Sequence, residues 1–123
     1  MAGRRASPAR RYAEAAFQIA ERDGNVGQWL AQLGDLAQAV AGPSVVRRLE
    51  DPNIPLDDRL AALRSTLGDD AVPQLVNMAR LLLRRRRADE IRGVYREFKR
   101  LYNRQAGIVE ASATSAVELD DQE

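Results

Sequence analysis

A chain of 123 residues supports one compact domain and little more, and its apolar fraction of 45% with few aromatics favours a helical core. It has no Cys and no His, which excludes disulfides and thiolate zinc sites and removes the commonest general base and metal ligand. Its 19 basic and 18 acidic residues leave a net charge of +1, which is not the balance of a dedicated nucleic-acid binder.

Residues 1–6 read as a basic arm, with Arg4 and Arg5, expected to be mobile. Ser7-Pro8 is a helix start, a hydroxyl cap followed by proline at the first helical position. The first helix is expected to run to Asp23 and stop at Gly24. Its polar residues (Arg10, Arg11, Glu14, Gln18, Glu21 and Arg22) fall in one arc of about a third of the circumference at 100° per residue. The remaining arc has two large edges. Phe17, with Ala13 and Ala20, forms one; Tyr12, Ile19 and Ala15 form the other, and small Ala16 separates them. Such a helix either lies between two neighbours of its own bundle or packs one edge inward and offers the other to a second protein.

Asn25 is expected to cap a second helix, with a stripe of Val26, Trp29, Leu30, Leu33, Leu36, Ala37 and Val40 at three-and-four spacing, ended by Gly42-Pro43. A short third helix covers Ser44 to Glu50, with Val45, Val46 and Leu49 inward. Two prolines make residues 51–55 a turn, and Pro55 opens a fourth helix that ends at Gly68. Asp69 and Asp70 suit the first turn of a fifth helix by the macrodipole, running to about Arg85. There Val72, Leu75, Val76, Ala79, Leu82 and Leu83 share half the wheel. Leu81 points nearly opposite, among Gln74, Asn77 and Arg84, with Met78 between the two groups. If the larger cluster is core, Leu81 is exposed, and beside the second edge of the first helix it would line a groove for an amphipathic partner helix. The sixth helix is expected over Ala88 to Gln105. Beyond Gly107, IVEASATSAV alternates like a strand, but a strand without partners cannot satisfy its backbone, so residues 107–123 are expected as strand-like or disordered. The fold class is therefore all-α: a six-helix bundle over residues 7–106 followed by that tail.

No catalytic constellation stands out. Asp57-Asp58 and Asp69-Asp70 are read as helix-start acids, and no hydroxyl has a His to activate it. No cofactor, no metal and no enzymatic activity are expected. The four arginines Arg84–Arg87 suit the end of the fifth helix, where cations offset the dipole; a grip on phosphate or on an acidic surface is the other use. No apolar run approaches the ~20 residues of a membrane span, and the start has no apolar signal region, so the chain reads as cytoplasmic and soluble.

The near-N-terminal pattern ARxYAxAxFxxA, carried by Ala9, Arg10, Tyr12, Ala13, Ala15, Phe17 and Ala20, resembles the first helix of the delta subunit of F-type ATP synthases, the homologue of the mitochondrial oligomycin-sensitivity-conferring protein. Trp29 stands where that family often has an aromatic. The turn with Pro52, Ile54 and Arg59, the segment Asn77 to Leu101 with Arg87, Val94 and Phe98, and the tail IVEASATSAVELDDQE are similar to its later segments in the same order, so the match covers Ala9 to Glu123. Two departures stand out: Arg86 occupies a turn where Gly is usual, and Gly93 a position where Pro is frequent.

The resemblance implies a non-catalytic stator subunit of a proton-translocating synthase, peripheral on the cytoplasmic face of the inner membrane. It would link the α subunits of the catalytic head to the b subunits of the peripheral stalk and keep the head from turning with the rotor. In that family the first and fifth helices receive an α-subunit N-terminal helix, which makes Tyr12, Ala15, Ile19, Asn77, Met78 and Leu81 the candidate contacts. The b subunits would bind mainly a C-terminal α/β domain, of which residues 107–123 are the start. No nucleic acid is expected as a partner on this reading. The alternative is a helical nucleic-acid-binding or regulatory domain using the arginine-rich segments.

Overall fold

A computed structural model describes the backbone of residues 7–117 and the side chains of residues 7–107. The basic arm and the acidic end, residues 118–123, lie outside the described residues. Six α-helices follow one another: α1 (Pro8–Asp23), α2 (Val26–Ala39), α3 (Pro43–Leu49), α4 (Leu56–Arg64), α5 (Pro73–Arg84) and α6 (Glu90–Val117).

Local chemistry sets the ends of α1. The Ser7 hydroxyl accepts from the Arg10 N–H at 3.2 Å, a cap that contributes about 1 kcal/mol. At the other end Gly24 takes φ 70°. Its N–H donates to the Glu21 carbonyl and that of Asn25 donates to Ala20, which closes the last carbonyls. Asn25 itself makes no side-chain cap to α2; its Oδ1 is buried without a hydrogen-bond partner, so the expected capping role is not realised.

The core forms where α1 and α2 lie against α6. Ala9, Ala13, Ala16 and Ala20 are all buried on α1 and make a small-residue seam. It permits a close crossing: a Cβ added at Gly93 of α6 would stand 2.9 Å from the Ala9 Cβ. Gly93 thus serves helix approach. Below the seam, Phe17 meets Phe98 edge to face at 5.2 Å, and Trp29 stacks over Phe98 at 6.0 Å, both in the preferred aromatic range.

Four elements differ from expectation, the first being α4, which stops at Arg64 instead of reaching Gly68. The fifth helix does not begin at Asp69. Proline at 73 restricts Val72 to an extended backbone (φ −69°, ψ 121°), so Gly68–Asp70 form a separate 3₁₀ turn. The buried amide of Gln32 holds that connection: its Nε2 donates to the Asp70 carbonyl at 2.7 Å and its Oε1 accepts from the Val72 N–H at 2.8 Å. In α3, Leu49 is buried and Val46 half-buried, but Val45 faces solvent, because this short helix meets α4 rather than the centre of the bundle. Finally, the backbone of residues 108–117 continues α6 as helix where the alternation pointed to a strand. A helix satisfies its backbone within itself, which a strand without a partner cannot do.

The α5–α6 turn carries the other departure. Arg86 sits at φ 56°, in the left-handed region, with its N–H donating to the Leu83 carbonyl and that of Arg87 to Leu82. This is the hydrogen-bond pattern that usually takes glycine, and a side chain there costs roughly 1–2 kcal/mol. Arg59 ties a second turn, donating to the carbonyls of Ile54 at 2.8 Å and Leu49 at 3.0 Å.

Candidate partner-binding groove

The second edge of α1 is not sealed. Tyr12 and Ile19 are half-buried and Ala15 is exposed. Across from them stand Met78 and Leu81, half-buried, and Asn77, exposed, all on α5. These six residues line one hollow of about 330 Å³, together with Ala16, Trp29 and Gln74. The structure therefore brings all six candidate contacts to one place. Leu81 is partly covered because α1 flanks it, rather than standing free on an outer face.

Three members of the wall and floor are not on the candidate set. Ala16 and Trp29 are 2% and 1% exposed, so both are core residues that also form the groove floor. Trp29 belongs to α2, and only the crossing of α2 beneath α1 and α5 reveals it there. Its indole N–H makes no hydrogen bond within the protein, a buried donor left at a cost of about 1–3 kcal/mol. Gln74 joins because it lies one turn before Met78 on the same face of α5.

Alanine in the middle of the groove and larger side chains at its rims leave an open slot between α1 and α5. A second hollow of about 350 Å³ adjoins it. Tyr12, Ala15 and Leu81 border both, and Pro8, Arg11, Arg85 and Arg87 complete the second. Arg85 Nη1 donates to the Tyr12 hydroxyl at 3.3 Å, across the mouth between α1 and the end of α5. Other hollows differ in character. One of about 770 Å³, between α3 and α6, mixes Arg47, Arg92 and Arg96 with Asp89 and Glu90.

Among the described residues no group of three or more His, Cys, Asp or Glu is placed to hold a metal ion. Nor is any described helix long and apolar enough to cross a membrane. The lining of the groove is mainly apolar, with Asn77 and Gln74 as its polar amides.

Residues 9–123 match the family model of the ATP synthase delta (OSCP) subunit. Proteins named ATP synthase subunit delta are similar along most of the chain. That of Dechloromonas aromatica is 34% identical over 116 residues, covering 92% of this chain and 64% of the relative. That of Cupriavidus pinatubonensis is 32% identical over 121 residues, 95% of this chain and 65% of the relative. That of Shouchella clausii is 34% identical over 117 residues, 94% of this chain and 64% of the relative. The chain thus spans a little under two thirds of the length of these relatives. With the family model covering all but the first eight residues, the chain belongs to the ATP synthase delta (OSCP) subunit family.

Proposed function

We propose that this chain acts as a non-catalytic stator module of a proton-translocating F-type ATP synthase, and that the α1–α5 groove receives an amphipathic N-terminal helix of the α subunit. Family membership supports the synthase assignment. One observation carries the site: the candidate residues, from two helices about sixty positions apart, line a single apolar hollow floored by Trp29. A groove of this kind binds by burial, at about 25 cal/mol per Å² of apolar surface removed from water. Held this way, the catalytic head would be kept from turning with the rotor. Attachment to the b subunits is assigned mainly to the part of the relatives that lies beyond the matched stretch. The module would sit peripherally, on the cytoplasmic face of the membrane, through the complex.

The test is a titration of the chain with a synthetic peptide of the α-subunit N-terminus. Trp29, the chain's single tryptophan, should report binding through its emission, and amide resonances of α1 and α5 should shift. Unmoved resonances on both helices would overturn the groove assignment. Salt dependence separates the nucleic-acid alternative, since phosphate binding weakens steeply with ionic strength and an apolar groove does so far less.

A further inference from the structure

The apolar groove does not end at Tyr12 and Leu81. It opens into the second hollow, and the side chains that close that hollow include three guanidinium groups, Arg11, Arg85 and Arg87, and no carboxylate. Arg11 and Arg85 form no ion pair among the described residues, and Arg87 reaches Glu90 only at 3.9 Å on an exposed surface, a contact of little energy. The dipole of α5 does not account for this. Arg84 in its last turn already offsets the terminal carbonyls, whereas Arg85 bends toward α1 and is held there by the Tyr12 hydroxyl.

We propose that this basic vestibule reads a carboxylate on the helix that fills the groove. The inference rests on the reading of the groove as a helix site and names a property its occupant must have. The spacing follows from the fold. Along α1 the apolar hollow runs from Tyr12 to Ile19 and the vestibule from Pro8 to Ala15; along α5 the order reverses, with Met78 in the hollow and Arg85 in the vestibule. The two helices therefore border the slot in opposite directions. From Ile19 back to Tyr12 or Arg11, and from Met78 on to Arg85, is seven or eight residues, about 10–12 Å at 1.5 Å per residue. A guest helix with its deepest apolar anchor beside Ile19 and Met78 would place an Asp or Glu about two turns further on between Arg11 and Arg85. Guanidinium groups pair with carboxylates through charge-assisted and often bidentate hydrogen bonds, and complementary charge fixes register along an otherwise sliding apolar groove.

The test uses the whole chain and two sets of variants. The α-subunit N-terminal peptide is titrated in its natural sequence and in versions with each Asp or Glu changed singly to Asn or Gln. The protein is used as wild type and as Arg11→Gln and Arg85→Gln, each checked for unchanged helicity by far-UV circular dichroism. One amide peptide should bind wild type about tenfold more weakly, and that penalty should vanish against Arg85→Gln or Arg11→Gln. Equal binding of all amide peptides to wild type would overturn the vestibule assignment, and so would Arg variants that bind the natural peptide as tightly as wild type. In that case the groove reading stands. If the natural peptide fails to bind wild type at all, the groove reading falls first, and the vestibule with it.

Discussion

Helix α1 makes two contacts of opposite kind. Toward α6 it presents Ala9, Ala13, Ala16 and Ala20, and Gly93 on the facing helix removes the last side chain from the crossing. Toward α5 it presents Tyr12 and Ile19, met by Met78 and Leu81. The first pair of helices approaches closely along much of its length, while α1 and α5 make no comparable backbone approach. Side-chain size decides the difference. Alanines on α1 facing Gly93 let these two backbones meet, whereas large residues at the rims with alanine between them hold α1 and α5 apart and leave a slot.

Substitutions test this contrast, and the largest effect belongs to the sealed side. Phe98→Ala removes the ring that Phe17 and Trp29 share and should lower stability by about 3–5 kcal/mol in chemical denaturation. A loss under 1 kcal/mol would mean that the aromatic cluster is not the centre of the core. Gly93→Val should cost about 1–3 kcal/mol by overpacking, despite the better helix propensity of most residues over glycine. A gain in stability would show that α1 and α6 are not in close apposition.

On the open side the expected order of effects inverts. Leu81→Asp should weaken binding of the α-subunit peptide by tenfold or more, since it replaces an apolar rim contact with a charge that would also occupy the adjoining guanidinium groups, and should leave helicity unchanged. Simultaneous loss of helicity would place Leu81 in the core and break the distinction. The smallest effect is expected away from both faces. Arg86→Gly relieves a left-handed backbone and should raise stability by about 0.5–1 kcal/mol, read from the denaturation midpoint.

Helix ends were legible where a single residue type has a single backbone consequence. Ser7-Pro8, Gly24 and Gly42-Pro43 mark boundaries because capping oxygens, left-handed φ and missing N–H groups act within a few residues. Asp69-Asp70 misled because a favourable dipole position is a weak effect and a pre-proline backbone is a strong one. The alternation after Gly107 misled because Val, Thr and Ser describe a side chain's preference, while an unpartnered backbone favours helix. In the groove, periodicity singled out Tyr12, Ala15, Ile19 and Leu81, since wheels sort the faces of single helices, while Asn77 and Met78 joined them through the family resemblance. Trp29 and Ala16 beneath them, and the reach of Arg85 to Tyr12, depend on which helices cross and were not readable from any one of them.

The amide of Gln32 has a last consequence. One turn along α2 from Trp29, it fastens the backbone just ahead of α5 by bonds at both its nitrogen and its oxygen. Floor and far wall of the slot are thereby anchored to the same helix. For the helix site proposed above, this means preorganisation: the width would be set before a guest arrives, and the entropy lost on association would fall chiefly on the incoming segment. Loosening that single amide would turn a rigid socket into one that must be assembled at each encounter, and the affinity would drop without any change in the residues the guest touches.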